Sequence, residues 1–81
     1  MQVTLRLFAG AREAVGASLV SVSINSGASA RDVVNVVVAD HPDLARIASI
    51  ARIAVNLEYV PDTTMVNEND EVALIPPVSG G

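Results

Sequence analysis

From Gln2 to Phe8 the chain reads QVTLRLF, and its apolar residues fall on alternate positions: Val3, Leu5 and Leu7 on one side, Gln2, Thr4, Arg6 and Phe8 on the other. A period of two is the mark of a half-buried β-strand. LVSVSIN, residues 19 to 25, repeats the pattern with Val20, Val22 and Ile24 alternating with Ser21, Ser23 and Asn25. Between these runs GAREAVG, residues 10 to 16, holds a short helical turn, because Ala and Glu favour helix and Gly16 stands where a helix ends.

SARDVVNVVVADHP, residues 29 to 42, is ambiguous by propensity alone, since valine favours strands. Its boundaries decide for a helix. Ser29 followed three residues later by Asp32 resembles a capping box, and Pro42 closes the segment at helical length. Val33, Val34, Val37 and Val38 then share one face, while Arg31, Asn35 and Asp40 point elsewhere. A short helical connection through DLARIAS leads to a strand in RIAVN and a brief extended piece in EYV. VNENDEV is a polar turn with Asn67 and Asn69 as candidates for a left-handed backbone. The last strand is EVALIP, with Val72 and Leu74 on one face, and Pro76 and Pro77 stop it because neither can donate to a ladder.

This order predicts an α+β fold: a mixed β-sheet with one main helix packed across it and short extra helices, the ubiquitin-like β-grasp arrangement. The expected organisation is a single domain over residues 1–81, with 76–81 as an extended C-terminal tail. At 51% hydrophobic content the chain has material for a modest core, made mostly of aliphatic residues because Phe8 and Tyr59 are the only aromatics. With two aromatics and a net charge of −4, the chain fits neither base stacking nor phosphate binding, so no nucleic-acid partner is expected. The five cations are all arginines (Arg6, Arg12, Arg31, Arg46 and Arg52), so no lysine is present to accept an isopeptide bond. There is no cysteine, which excludes disulfides and thiolate chemistry. The start has neither the charged leader nor the apolar run of a signal peptide, and the longest apolar-rich stretch is too short to span a bilayer. A soluble, cytoplasmic protein with no membrane association is expected.

Catalytic constellations are scarce. His41 is the sole histidine, at the end of a helix, where a solvated or dipole-compensating role suffices. Glu68, Asp70 and Glu71 lack the spacing of a calcium loop and read as a solvated turn, with an acidic docking surface as the other reading, and no metal site is expected. GAREAVG has neither the glycine spacing nor the Lys-Ser/Thr pair of a phosphate loop.

The terminus is the remaining reactive group. Pro76 and Pro77 favour an extended exit, and Val78, Ser79, Gly80 and Gly81 reach roughly 13 to 14 Å beyond them, about the depth of an active-site channel. Two residues without Cβ make the end thin enough for a narrow tunnel. The Gly81 carboxylate, ionised at neutral pH, is a poor acyl electrophile and needs external activation, for instance as an acyl adenylate. A frayed end with no role is the bland alternative.

LFAGAREAVG, AVNLEYV and NDEVALIPPVSGG together resemble the small subunits of molybdopterin synthase, ubiquitin-like sulfur carriers of molybdenum cofactor biosynthesis, over essentially the whole chain. The resemblance implies that Gly81 is adenylated by a partner adenylyltransferase related to ubiquitin activators, at the expense of ATP, and converted to a thiocarboxylate with help from a sulfur donor enzyme. It implies that Pro76, Pro77, Val78, Ser79 and Gly80 thread into a large subunit, in a heterotetramer of two small and two large subunits, where sulfur passes to cyclic pyranopterin monophosphate. On its own the chain is then a carrier with no stably bound cofactor, not an enzyme. One departure stands out: Asn69 occupies a position that is usually glycine in the family's last turn, and Asn tolerates positive φ.

A carrier for another pathway, such as the thiamine type, and a ubiquitin-like protein modifier use the same tail chemistry, and a plain interaction module uses none. The expected partner-facing surface is Phe8, Arg12, Leu57 and Ile75. Phe8 and Ile75 carry exposed apolar area on the strand face opposite the core, although burial under the short helix is an equal reading.

Overall fold

The computed structural model describes residues 1–77; Val78, Ser79, Gly80 and Gly81, and with them the tail-threading and carrier roles expected there, lie outside the described residues. Five strands are present: β1 (Gln2–Leu7), β2 (Leu19–Ser23), β3 (Arg52–Val55), β4 (Glu58–Val60) and β5 (Glu71–Ile75). Three α-helices join them: α1 (Ala9–Val15), α2 (Ala30–Asp40) and α3 (Ala45–Ile50), the last entered through a 3-10 turn at Pro42–Leu44. The sheet order is β2-β1-β5-β3-β4. β1 and β5 run parallel at its centre, with Leu5 opposite Val72 and Leu7 opposite Leu74, and the other pairings are antiparallel. This is the mixed α+β sheet of the ubiquitin-like β-grasp fold.

α2 shows packing overriding propensity. A helical valine costs up to about 0.7 kcal/mol relative to alanine. Burying one is worth about 1.5 kcal/mol or more, and Val33, Val34 and Val37 are all buried on the sheet. The helix start is fixed by the expected capping box: the Asp32 amide donates to Ser29 Oγ at 3.1 Å, and the Ser29 amide donates to Asp32 Oδ2 at 2.9 Å. Against this helix the strands present Val3, Leu5, Leu7, Val22, Ile53, Val72 and Leu74, and Leu44 and Val66 complete the core.

Three local expectations are corrected. β1 ends at Leu7, so Phe8 is not its last strand residue but the extended N-cap of α1, its carbonyl accepting from the amides of Ala11 and Arg12. β2 ends at Ser23, short of Asn25. In the turn before β5 only Asn69 takes positive φ, at 68°. The amide of Asp70 donates to the carbonyl of Asn67, which makes Asn67 the first and Asn69 the third residue of a β-turn, and positive φ at the third position alone is the type II pattern.

Candidate functional site: the open face of the sheet

The helices of the described residues pack on one face of the sheet, through Ala11, Val33, Val34, Val37 and Ala48, and strand alternation decides what the other face displays. The residues between the core positions are Arg6 on β1, Glu71, Ala73 and Ile75 on β5, and Ala54 on β3, whose register sets Ala54 opposite both Ala73 and Tyr59. With Phe8 and Leu57 they line a shallow, largely apolar groove of about 180 Å³. The two alanines keep its floor low, while Phe8 (41% exposed) and Tyr59 (54% exposed) rise from its walls.

The polar parts of the groove are tied down. Arg6 Nε donates to Glu71 Oε1 at 2.7 Å, and Nη2 lies 3.5 Å from Oε2. The hydrogen bond from Arg6 holds the Glu71 carboxyl below the usual carboxylate range, and Glu71 pushes the guanidinium up. Beside the groove the Arg52 guanidinium stacks 3.9 Å from the centre of the Tyr59 ring, a cation–π contact that fixes that wall.

At one end the β3–β4 hairpin turns through Asn56 and Leu57, both at positive φ (49° and 73°). Asn56 suits this conformation and is clasped, its Oδ1 accepting from the Glu71 amide and its Nδ2 donating to Asp70 Oδ1, each at 3.0 Å. Leu57 has no such compensation. A branched apolar side chain there costs about 1–2 kcal/mol, yet Leu57 is 94% exposed and gains no packing in return. At the other end Phe8 and Ile75 follow the paired residues Leu7 and Leu74 on neighbouring parallel strands, and Pro76 and Pro77 leave the sheet there.

The geometry therefore brings together Phe8, Leu57 and Ile75 on one face. It does not bring Arg12, which sits exposed on α1 and does not line the groove. The expected burial of Phe8 and Ile75 under the short helix is not what is found, because α1 begins at Ala9 and packs its one buried residue, Ala11, on the core side. Sequence reasoning missed Arg6, Ala54, Tyr59, Glu71 and Ala73 as groove residues, although strand parity marks Arg6, Glu71 and Ala73 as opposite Leu5, Val72 and Leu74. The remaining two depended on the register of β3 with both β4 and β5, which no local pattern supplied.

The acidic turn is structural. Glu68 accepts from the Gln2 amide, Asp70 from the Asn67 amide and from Asn56, and Glu71 from Arg6. Among the described residues no group of three or more His, Asp or Glu side chains is placed to hold a metal ion. His41 caps α2, its amide donating to the carbonyls of Val37 and Val38. No helix among the described residues is long and apolar enough to cross a membrane.

The five-stranded mixed sheet of order β2-β1-β5-β3-β4, with its main helix packed across one face, places the chain in the ubiquitin-like β-grasp class. Within that class the ThiS family model matches residues 5–81, and the chain belongs to this family. It is 35% identical over 81 residues to a molybdopterin synthase sulfur carrier subunit from Arabidopsis thaliana, covering 100% of this chain and 84% of that one. A molybdopterin synthase sulfur carrier subunit from Chlamydomonas reinhardtii is 36% identical over 83 residues, covering 100% of both. Among solved structures, the small archaeal modifier protein 1 of Haloferax volcanii superposes with a TM-score of 0.87 at 27% identity, over 95% of this chain and 98% of that one.

Proposed function

We propose that this chain is the sulfur-carrying small subunit of a molybdopterin synthase, with the Gly81 carboxyl as the carrier group. The observation that carries the reading is full-length similarity to two sulfur carrier subunits of that enzyme, combined with the exit of the chain from β5 beside the Phe8–Ile75 end of the apolar groove. The carboxylate attacks the α-phosphate of ATP on a partner adenylyltransferase, releasing pyrophosphate and forming an acyl adenylate. A sulfide-level sulfur supplied by a donor enzyme then attacks the acyl carbon and expels AMP, leaving a thiocarboxylate, which is spent on cyclic pyranopterin monophosphate in the large subunit.

In this reading the domain binds and aims, and the partners supply the catalytic groups and ATP. The groove docks on the large subunit through Phe8, Leu57 and Ile75, with Ala54, Tyr59 and Ala73 as its floor and wall. Arg12 stands outside this contact. Pro76 and Pro77 stiffen the approach of Val78, Ser79, Gly80 and Gly81 to the channel. A large subunit that buries this face, two carriers per assembly and a cytoplasmic setting complete the proposal. The test is the addition of one alanine after Gly81: sulfur transfer is expected to vanish while the fold and groove binding persist, and unchanged transfer rejects the carboxyl as carrier.

A second reading, a modifier joined to amines of other proteins, draws on the likeness to the small archaeal modifier protein. Both readings need the same activated carboxyl. They separate on product: the carrier yields a thiocarboxylate of unchanged chain length, whereas the modifier yields amide-linked adducts of target proteins.

A further inference from the structure

We propose that the outer edge of β2, with the groove that follows it between residues 24–28 and α2, is a docking site for an extended apolar segment of a partner protein carrying basic residues, which adds to the sheet as a sixth strand. Among the described residues β2 is an outer strand and pairs only with β1. The ladder fixes which of its backbone groups are free. Leu7 donates to the Ser18 carbonyl, and Met1 and Ile24 exchange hydrogen bonds, so residues 18, 20, 22 and 24 turn their backbone groups toward β1. Leu19, Ser21 and Ser23 therefore point theirs away from the sheet.

The two edges differ in how they are protected. β4, the other edge, is three residues long, carries Glu58 and runs straight into Pro61, each a feature that discourages further pairing. β2 is five residues, LVSVS, with no charge and no proline, and Leu19 is half exposed. Just past its C-terminal end lies a groove of about 460 Å³ between the connection that follows the strand and α2, with Ile24, Ala28, Val36 and Ala39 as apolar lining and Asn25, Asp32 and Asn35 as polar lining. Val36 is the α2 valine turned away from the core, 39% exposed. Backbone partners in a row next to pockets for side chains are the elements of strand addition.

Charge selects the occupant. Among the described residues Asp32 is the one ionisable group in the groove lining, α2 ends in the exposed Asp40, and Arg31 is turned to Asp62 at 3.0 Å. With a net charge of −4, a second copy would set like charges against each other, whereas a basic segment is attracted. This groove lies on the helix side of the sheet, so its occupant leaves the open face free for a different partner.

The probe is the blocked peptide RVTVIR, titrated into the 15N-labelled full chain, with EVTVIE as its charge-reversed counterpart. Amide shifts confined to β2 and the Asp32–Ala39 surface are expected, with slowed hydrogen exchange at Leu19, Ser21 and Ser23. Binding is expected to weaken at least about tenfold for EVTVIE, for Ser21→Pro, which removes an outward-facing amide, and for Val36→Lys, which neutralises the groove charge and repels a basic segment. Val36 is exposed, so Val36→Lys keeps the test valid if the proline variant misfolds. Shifts centred on Phe8, Tyr59 and Ile75, equal binding of the two peptides, no shift at millimolar peptide, or a β2-paired homodimer would each overturn the proposal.

Discussion

The two faces of the sheet are written by the same strands, one residue apart. The covered face holds Val3, Leu5, Leu7, Ile53, Val72 and Leu74, all at most 1% exposed, and the structure has no buried polar or charged residue among those described. The open face holds alanines, two aromatics, an ion pair and a leucine held at positive φ. Stability accounts for every side chain on the first face. It accounts poorly for the second, where Leu57 strains the backbone while standing almost fully exposed at the end of the groove. The difference teaches that burial specifies one face and a task outside the chain specifies the other.

Substitutions at neighbouring positions of β5 should separate the faces most sharply. Leu74→Ala, on the covered side, is expected to cost about 2–5 kcal/mol in urea unfolding, through lost transfer energy and the cavity left behind. Ile75→Asp, one residue on, is expected to leave unfolding nearly unchanged and to weaken association with a large subunit at least about tenfold by calorimetry. Equal affinity would remove Ile75 from the interface. Leu57→Gly should move the two properties in opposite directions, raising stability by up to about 1 kcal/mol as the strain is relieved while reducing association. If stability falls instead, the turn draws support from a contact the open face hides.

The smallest expected effect is electrostatic. The Glu71 carboxyl, hydrogen-bonded by Arg6, titrates below its unfolded value, so the pair stabilises the fold fully above the ordinary carboxylate pKa and loses that contribution as pH falls through the lowered folded value. Both side chains are more than a third exposed, 39% and 37%, so the contribution is heavily screened by water and salt. Glu71→Gln is expected to flatten acid-range stability slightly in thermal melts, and an unchanged pH profile would show that the pair is fully solvated.

Much of this was legible in the sequence because the fold rests on short-range signals. Alternation marked β1, β2 and β5, and the Ser29–Asp32 box rescued α2 from its valines. Gly16, at φ 86°, ended α1 as its position predicts. The Asn69 turn also followed, since Asn is among the few residues that adopt positive φ at moderate cost. What stayed hidden came from register and from three-dimensional pairing. Ala54 and Tyr59 join the groove only because β3 pairs with both β4 and β5. The Asn56–Leu57 turn escaped notice because Leu lacks the turn chemistry that would flag it, and Phe8 was misplaced because its extended backbone caps a helix after the strand has ended.

The central claim is that this sheet exists to present the carboxyl of Gly81. Intact-mass analysis after incubation with a cognate adenylyltransferase, ATP and a sulfur source tests it most directly. The account predicts a shift equal to one oxygen exchanged for sulfur, absent without ATP and lost on deleting Gly81. An unmodified chain in the presence of an activator that demonstrably loads another member of the family would contradict it.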